Sequence, residues 1–261
     1  MQKNLYKKNN QLIIMTGTTG GIGGYILSNL PNKFDFLILG RSKKIIKIQS
    51  KLKKNKKNIN YFFYDQKKKL NIKKLKKKIK FSFYKNIHLI FFSGAIDKKI
   101  NSFERDDWIN ILKTNLISHL EIFNSLKNFY KKNKNSVTNK VIFLSGGGAT
   151  NPFPKFPAYS ASKTAIVRTV ENLSIQYSKQ NLCIFAVAPG AIQTKMLSKV
   201  LKFSKVGRRS SKKRVLSFLK SSLDRKDKLY NGKLIHVRDK NTKISKKKKY
   251  KDHFKLRRID K

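Results

Sequence analysis

Tyr159 and Lys163 stand four positions apart in "FPAYSASKTA", residues 156–165. Helices accept proline at their first position, so a helix that starts at Pro157 would place both side chains on one face. An ammonium beside a phenol favours the phenolate and lowers the pKa of the tyrosine. Because a tyrosine with a lowered pKa can exchange a proton near neutral pH, this pair predicts acid–base chemistry.

A glycine-rich segment, "TGTTGGIGG" at residues 16–24, follows the apolar run "QLIIM" and precedes a predicted helix. A strand, a glycine turn and a helix in this order are the setting of a dinucleotide site. Gly17 would make the tight turn, while Gly21 and Gly23 would let the backbone approach a pyrophosphate, which the amides of the helix N-terminus would hold. An ordinary flexible turn is the alternative interpretation.

The residues after the second apolar run bear on cofactor preference. "LILGRS" places Arg41 and Ser42 where an acid would bind the ribose 2′-hydroxyl of NAD, whereas an arginine accommodates a 2′-phosphate. The segment therefore favours NADP(H), with NAD(H) as the alternative cofactor and a plain surface cation as the alternative role of Arg41. Asp65, after the third run, would either contribute to the adenine site or cap its own loop.

Six short apolar runs alternate with segments long enough for crossover helices. The runs are mostly continuous, as strands buried on both faces of a parallel sheet are. One α/β domain with a doubly wound parallel sheet flanked by helices is therefore predicted. Two lysine-rich helices are expected over 43–58 and 70–81, with Ile and Leu facing the core. The predicted strands are 11–15, 35–39, 59–64, 87–92, 140–144 and 183–188.

The charge of the chain is extreme, because 62 Lys and Arg face 13 Asp and Glu, for a net charge of +49 over 261 residues. A polyanion partner is one interpretation. Compositional bias is the other, since Lys, Asn, Ile, Phe and Tyr all have A/T-rich codons and all are abundant. Arginine, which nucleic-acid interfaces favour, supplies only ten of the basic residues. We favour bias and expect no specific nucleic-acid partner.

The single cysteine, Cys183, excludes an internal disulfide, fits a reducing compartment and is predicted to fill the core of a buried strand. No apolar stretch is long enough for a signal peptide or a membrane span, so a cytoplasmic protein is expected. We predict a basic extension over 1–10, one domain over 11–238 and a charged, frayed tail over 239–261. No metal site is expected.

Further segments resemble the short-chain dehydrogenase/reductase family over most of residues 11–238. The resemblance implies a Rossmann-like fold and an NADP(H)-dependent oxidoreductase that interconverts a carbonyl and an alcohol. A catalytically impaired dinucleotide-binding sensor or scaffold is the second hypothesis, and a polyanion binder on the same fold is the third. Beside the glycine turn, the segments that carry the resemblance are "YDQ", "FSGAI", "TNL" at 114–116, "LSGGGA" at 144–149, "YSASK" at 159–163 and "APGAIQT" at 188–194.

The resemblance implies four catalytic residues. Tyr159 would protonate the carbonyl oxygen, and Lys163 would lower the pKa of that tyrosine and bind the nicotinamide ribose. Ser145 would hold the substrate oxygen, and Asn115 would help to place a relay water or merely bridge elements. The implied cofactor positions are Gly17, Thr19, Gly21, Ile22, Gly23, Arg41, Ser42, Asp65, Ser93, Gly94, Ala95, Tyr159, Lys163, Pro189, Gly190, Ile192 and Thr194.

Two positions depart from the family pattern. Many members have a serine thirteen residues before the tyrosine, where this chain has Gly146, and Ser145 lies one residue further away. One extra residue in the loop would bring Ser145 into place. Ser93 stands where the family often has asparagine, and we expect it to brace the sheet.

The substrate side is the least defined region of the sequence. A basic segment at about 195–222 is expected to form one or two helices over the active site. An anionic or carrier-linked carbonyl substrate would suit its charge, and compositional bias explains that charge equally well. The family resemblance implies a homodimer or homotetramer through helices in the 110s–120s and 160s–170s. The apolar stripe of "WINILKTNLISHLEIFNSL" suits this role and also suits packing within the chain.

Overall fold

The computed structural model describes residues 9–132, 138–206, 209–239 and 255–256. The continuous apolar runs form parallel strands of one sheet, because both faces of that sheet are covered by helices. The strands are β1 (Gln11–Thr16), β2 (Asp35–Gly40), β3 (Ile59–Phe63), β4 (Asn86–Phe91), β5 (Asn139–Leu144), β6 (Leu182–Ala188) and β7 (Leu234–His236).

The α-helices lie between the strands and cross from one strand to the next. α4 passes into α5 through a π-helical stretch, Lys113–Ile117. The helices are α1 (Gly21–Asn29), α2 (Lys44–Lys54), α3 (Ile72–Lys78), α4 (Arg105–Leu112), α5 (Ser118–Lys132), α6 (Pro157–Gln176), α7 (Lys195–Leu201) and α8 (Lys212–Asp224).

The strand order is β3-β2-β1-β4-β5-β6-β7, with every pair parallel. The order reverses between β1 and β4, and doubly wound sheets bind ligands outside the carboxyl ends of the strands at such a switch point. The predicted fold, a Rossmann-like parallel sheet flanked by helices, is confirmed. It brings the glycine turn after β1 next to the segment that follows β4.

Two apolar clusters hold the helices on opposite faces of the sheet. On one face α1 and α8 contribute buried residues such as Ile26 and Leu219, and on the other α5 and α6 contribute residues such as Leu126 and Val170. Cys183, 1% exposed, lies in the first cluster, as predicted for a core residue, and burial raises the pKa of its thiol to about 11.

The two lysine-rich helices are shorter than predicted. α2 ends at Lys54 because Lys56 adopts a left-handed conformation (φ 60°), and α3 ends at Lys78, where the backbone becomes extended. Their apolar faces point inward as expected, since Ile45, Leu52 and Leu75 are all buried.

The segment 195–222, predicted to cover the active site, divides into two parts. α7 lies beside the loop after β4, since Lys199 Nζ donates hydrogen bonds to the carbonyls of Asp97 and Lys98 at 2.7 Å. α8 is a core helix instead, because Val215 and Leu219 are buried against α1 and the sheet. The predicted cover over the active site stays a prediction, with α7 as the part that lies beside the loop after β4.

The predicted terminal extensions lie mainly outside the described residues. In the extension over 1–10, Asn9 donates a hydrogen bond to Asp35 at 2.8 Å. In the tail over 239–261, the backbone N–H of Leu256 donates to Glu171 at 2.7 Å and its carbonyl accepts from Arg168 at 3.2 Å. At this point the tail contacts α6, and the frayed tail predicted over 239–261 otherwise lies outside the described residues. Among the described residues, none of the helices is long and apolar enough to cross a membrane.

Candidate cofactor and active site

The glycine turn after β1 owes its shape to two glycines. Gly17 has φ +70°, and a Cβ there would lie 2.8 Å from the Phe92 carbonyl oxygen and closer still to the Ser93 nitrogen. A Cβ on Gly23 would collide with the Gly17 carbonyl oxygen. Side chains are therefore excluded at both positions, and the turn packs directly against the segment that follows β4.

The helix that follows this turn begins without a side-chain cap, since Gly20 at its N-cap offers none. Its first amides therefore remain free to bind an anion. Thr18, 2% exposed, has a hydroxyl with no hydrogen-bond partner among the described residues. A Cβ on Gly21 would lie 3.0 Å from the Thr194 methyl carbon, so glycine leaves a narrow cradle there. Free amides, an unpartnered hydroxyl and this cradle fit a pyrophosphate.

The remaining residues predicted for the glycine turn lie around this cradle. Thr19 is exposed, and Ile22 packs against the core cluster on the α1 face of the sheet.

The residues predicted for the adenosine side follow the carboxyl ends of β2 and β3. Arg41 is exposed, and the Ser42 hydroxyl accepts a hydrogen bond from the backbone N–H of Lys44 at 3.2 Å. Asp65 accepts from the N–H of Lys67 at 3.1 Å, so its carboxylate caps its own loop, which is one of the two roles expected for it.

Ser93 is the centre of a buried polar cluster. Its hydroxyl lies 2.9 Å from Thr16 Oγ1 and 2.6 Å from His119 Nε2, and it also accepts a hydrogen bond from Gln66. Burial, with a smaller contribution from the Lys163 charge, lowers the pKa of His119 to about 3, so this imidazole is neutral. Ser93 thus braces β1, β4 and α5 through side chains. His119 was not predicted as a site residue, because its signal in the sequence is only an apolar helical stripe with one histidine in it.

Tyr159 and Lys163 lie on the first turns of α6, which starts at Pro157 as predicted. Lys163 Nζ lies 5.5 Å from the centroid of the Tyr159 ring and donates a hydrogen bond to the Leu144 carbonyl at 2.9 Å. A Cβ on Gly94 would lie 3.6 Å from this ammonium nitrogen. The Tyr–Lys pair therefore faces the segment that contacts the glycine turn.

The electrostatics of this pair differ from the expectation. Burial raises the pKa of Tyr159 to about 12 and lowers the pKa of Lys163 to about 8. The predicted lowering of the tyrosine pKa by the lysine is wrong for this structure. The physical reason is that Lys163 is buried and Tyr159 is partly buried, and desolvation disfavours the charged form of each one.

Asn115 lies in the π-helical stretch and is fully buried. Its side-chain oxygen accepts from the N–H of Ala95 at 2.6 Å, and its amide nitrogen donates to the Ala95 carbonyl at 3.0 Å and to Ser162 Oγ at 2.8 Å. The side chain therefore bridges the segment after β4 to α6, which is the structural alternative foreseen for it. The relay-water role of Asn115 stays a prediction.

The serine position departs from the expectation. The Ser145 hydroxyl donates a hydrogen bond to the backbone carbonyl of Lys163 at 3.1 Å and is 3% exposed, so it is used within the fold. Gly146 lies beside the phenol of Tyr159, because a Cβ there would be 3.3 Å from Tyr159 Oη. The assignment of Ser145 to the substrate oxygen stays a prediction, and Gly146, which has no hydroxyl, is the residue that adjoins the phenol.

The residues after β6 lie over the other side of the cradle. Gly190 has φ +77°, and a Cβ there would lie 3.3 Å from His236 Nε2. Pro189 and Ile192 are buried. Thr194 caps α7 by accepting from the N–H of Leu197 at 3.2 Å, while its methyl group covers Gly21.

Asp97 is a site residue that the sequence analysis missed. It is fully buried, and its carboxylate accepts hydrogen bonds from the backbone N–H groups of Ala158 and Tyr159 at 3.1 and 3.0 Å. Phe156, the N-cap residue of α6, supplies no side-chain cap, so Asp97 satisfies this helix end from another loop. A lone acid in a chain with few acids was the one available signal.

The strand order, the glycine turn at the switch point and the Tyr–Lys pair on α6 define a Rossmann-like protein with a dinucleotide cradle. A family model described as short chain dehydrogenase matches residues 11–205 of the chain. The chain belongs to this family, and the predicted resemblance is confirmed.

Curated relatives match over shorter segments. Dehydrogenase/reductase SDR family member 4 of Sus scrofa is 37% identical over 54 residues, which cover 21% of this chain and 19% of that protein. The 7alpha-hydroxysteroid dehydrogenase of Clostridium sardiniense is 31% identical over 101 residues, or 38% of this chain and 37% of that protein. The chain thus aligns with less than two fifths of the length of either relative.

Solved structures match over nearly the whole chain. A short chain dehydrogenase of Escherichia coli CFT073 complexed with NADPH superimposes with a TM-score of 0.76 at 15% identity, covering 90% of this chain and 100% of that one. An actinorhodin polyketide ketoreductase with NADPH has a TM-score of 0.75 at 16% identity and covers 87% and 95%. These similarities establish the fold.

Proposed function

We propose that the chain is an NADP(H)-dependent oxidoreductase that interconverts a carbonyl and an alcohol. One observation carries the proposal: the Tyr–Lys pair reaches the residues that form the dinucleotide cradle. Lys163 Nζ lies 3.6 Å from the place of a Cβ on Gly94, and the preceding residue, Ser93, packs against Gly17. The proton donor and the cradle therefore share one edge of the sheet.

A bound nicotinamide dinucleotide supplies or accepts the hydride. Tyr159 would give its phenolic proton to the carbonyl oxygen, and a pKa of about 12 keeps that proton in place at neutral pH. Lys163, with a pKa of about 8, is largely protonated at pH 7 and would stabilise the phenolate that proton transfer leaves. These protonation states favour carbonyl reduction at neutral pH.

The cofactor would be held by two groups of residues. The amides at the start of α1, with Thr18 and Thr194, would bind the pyrophosphate. Arg41 and Ser42, after β2, would bind a 2′-phosphate, which is the basis for preferring NADP(H) over NAD(H). The two solved neighbours with NADPH support this preference.

The first experiment is a titration with NADPH and, separately, NADH at moderately high salt, with ATP as a non-specific anion control. The proposal expects NADPH to bind more tightly than NADH and ATP, and Arg41→Asp to reverse the preference between the two dinucleotides. Equal binding of all three anions, abolished alike by salt, would overturn the proposed cofactor site.

The second experiment tests catalysis directly. NADPH oxidation is followed with a panel of ketones and aldehydes, using the wild type and Tyr159→Phe. We expect turnover by the wild type and at least a hundredfold lower turnover by Tyr159→Phe. The dissociation constant of the variant for NADPH should stay within about twofold of the wild-type value. Equal turnover of the two proteins would overturn the role of Tyr159.

A second candidate function is a dinucleotide-binding sensor or scaffold with impaired catalysis. Gly146 favours it, because the residue that faces Tyr159 Oη offers no hydroxyl to hold a substrate oxygen. NADPH binding without turnover across the carbonyl panel would support this alternative, while turnover lost in Tyr159→Phe would exclude it.

We propose a small carbonyl substrate with an apolar portion, since the Phe153 ring lies 6.2 Å from the Tyr159 ring, centroid to centroid. An anionic or carrier-linked group on that substrate stays a prediction.

We also propose a cytoplasmic homodimer or homotetramer. Ile117 and Ile175, 46% and 74% exposed near α5 and on α6, support the oligomer, and light scattering at high salt tests it.

A further inference from the structure

Lys212, the first residue of α8, lies over the start of α1. Its Nζ is 4.0 Å from the position that a Cβ on Gly21 would take. The helix that carries Lys212 is fixed in this place, because Ser211 caps it and Val215 is fully buried in the core. Lys212 is half-buried, whereas the neighbouring Lys213 is exposed.

The Lys212 ammonium lies beside the N-terminus of α1, and an anion between the two would be stabilised by both. The N-terminus of a helix carries a partial positive charge, so a cation beside it is unfavourable unless a negative group lies between them. None of the ion pairs between described residues includes Lys212. The hydroxyl groups of Thr18, in the glycine turn, and of Ser210, two residues before Lys212, are buried without a hydrogen-bond partner among the described residues.

Ser210 connects this cation to the far side of the cradle. Its backbone N–H donates to the Ala191 carbonyl at 2.9 Å, and its Cβ lies 3.0 Å from the place of a Cβ on Gly190. The segment that leads into α8 is thus tied to the residues after β6, next to Thr194. The glycine turn, the loop after β6 and α8 therefore meet at Gly21, where a Cβ would lie 3.0 Å from the Thr194 methyl carbon and 4.0 Å from Lys212 Nζ.

We propose that Lys212 binds the pyrophosphate of the dinucleotide and closes the cradle from the α8 side. The inference rests on the proposed function. The role proposed for Lys212 can be distinguished from that of Arg41. Both NADPH and NADH carry a pyrophosphate, whereas only NADPH carries the 2′-phosphate that Arg41 would bind. Loss of the Lys212 charge should therefore weaken both dinucleotides equally.

The test compares Lys212→Gln with the matched control Lys213→Gln, which removes the same charge one residue further along α8. Dissociation constants for NADPH and NADH are measured by fluorescence at low and high salt. The expected result is about tenfold weaker binding of both dinucleotides by Lys212→Gln, as for loss of one charge-assisted contact. Binding by Lys213→Gln should stay within about twofold of the wild type, and the loss should shrink at high salt.

Two further variants guard against a folding artefact. Lys212→Arg keeps the charge and should bind nearly as the wild type does, while Lys212→Glu should bind both dinucleotides more weakly than Lys212→Gln. Normal wild-type binding with an unaffected Lys212→Gln, or weakening confined to NADPH, would overturn this inference alone. Failure of the wild type to bind either dinucleotide would overturn the proposed function together with it.

Discussion

The carboxylate of Asp97 accepts a hydrogen bond from the backbone N–H of Tyr159 at 3.0 Å. A residue that follows β4 thereby fixes the helix turn that carries the candidate proton donor. The same residue is linked to the cover of the site, because its backbone carbonyl accepts a hydrogen bond from Lys199 of α7 at 2.7 Å. Asp97 is thus a positioning residue between α7 and α6.

Asp97→Ala should lower kcat more than it raises KM. It leaves the N–H groups of Ala158 and Tyr159 without acceptors, which costs about 1–3 kcal/mol of stability for each buried donor, and small displacements of a reacting group cost about a hundredfold in rate. Steady-state kinetics and urea unfolding measure both effects. Asp106→Ala, an exposed acid on α4, is the control. Unchanged kcat in a folded Asp97→Ala protein would contradict the positioning role.

Gly146→Ser should increase carbonyl reduction, by about tenfold or more, because it places a hydroxyl beside the phenol. The backbone of Gly146 is extended (φ 176°, ψ −177°), which any residue can adopt, and the added Cβ would lie 3.3 Å from Tyr159 Oη. That contact is tight, so the phenol must shift by a few tenths of an ångström. The rate of NADPH oxidation at saturating carbonyl measures the gain.

Gly147→Ser is the matched control for this gain, since a Cβ at Gly147 meets nothing within 4 Å. Ser145→Ala completes the set: it removes the hydrogen bond to the Lys163 carbonyl and should cost about 1 kcal/mol of stability while turnover persists. Complete loss of turnover in Ser145→Ala, with no gain in Gly146→Ser, would support the substrate-binding role predicted for Ser145.

The sequence predicts the fold well because its signals are local. Continuous apolar runs indicate strands that are buried on both faces of the sheet, and the six predicted strands lie within a residue or two of their predicted bounds. The glycine turn indicates the switch point of the sheet. The signals that fail depend on tertiary contacts. The hydrogen bond between Asp97 and Ala158 joins residues 61 positions apart, so no local pattern in the sequence predicts it. Likewise, the register of β5 decides that Gly146 rather than Ser145 meets the phenol, and spacing alone left that choice open.

The pKa shifts of buried groups also could not be predicted from the sequence. The four-residue spacing of Tyr159 and Lys163 correctly placed them together, but it carried no information on how much water reaches them. Lys163 is 3% exposed, so desolvation decides the direction in which its pKa shifts. Burial is a property of the whole α6 environment, including α5 and the segment after β4.

Lys163→Met should change the pH dependence of stability. The pKa of Lys163 is about 8 in the folded chain against 10.5 for an unperturbed lysine. Between these values the unfolded chain binds more protons at this site, so the wild type gains stability relative to the variant as pH rises from 8 to 10.5. Below pH 8 the folded wild type bears the full cost of a buried charge, about 3 kcal/mol from the difference in pKa.

Urea unfolding of both proteins at pH 7 and at pH 9.5 measures this difference. The free energy of unfolding of Lys163→Met, relative to that of the wild type, should be higher at pH 7 than at pH 9.5. This relative free energy should differ by about 2 kcal/mol between the two pH values. Other ionisable groups cancel in the comparison, because both proteins share them. A difference in unfolding free energy that is the same at both pH values would mean that Lys163 keeps an ordinary pKa in the folded chain. In that case the charge of the Lys163 ammonium, and not burial, would be the main influence on the pKa of Tyr159.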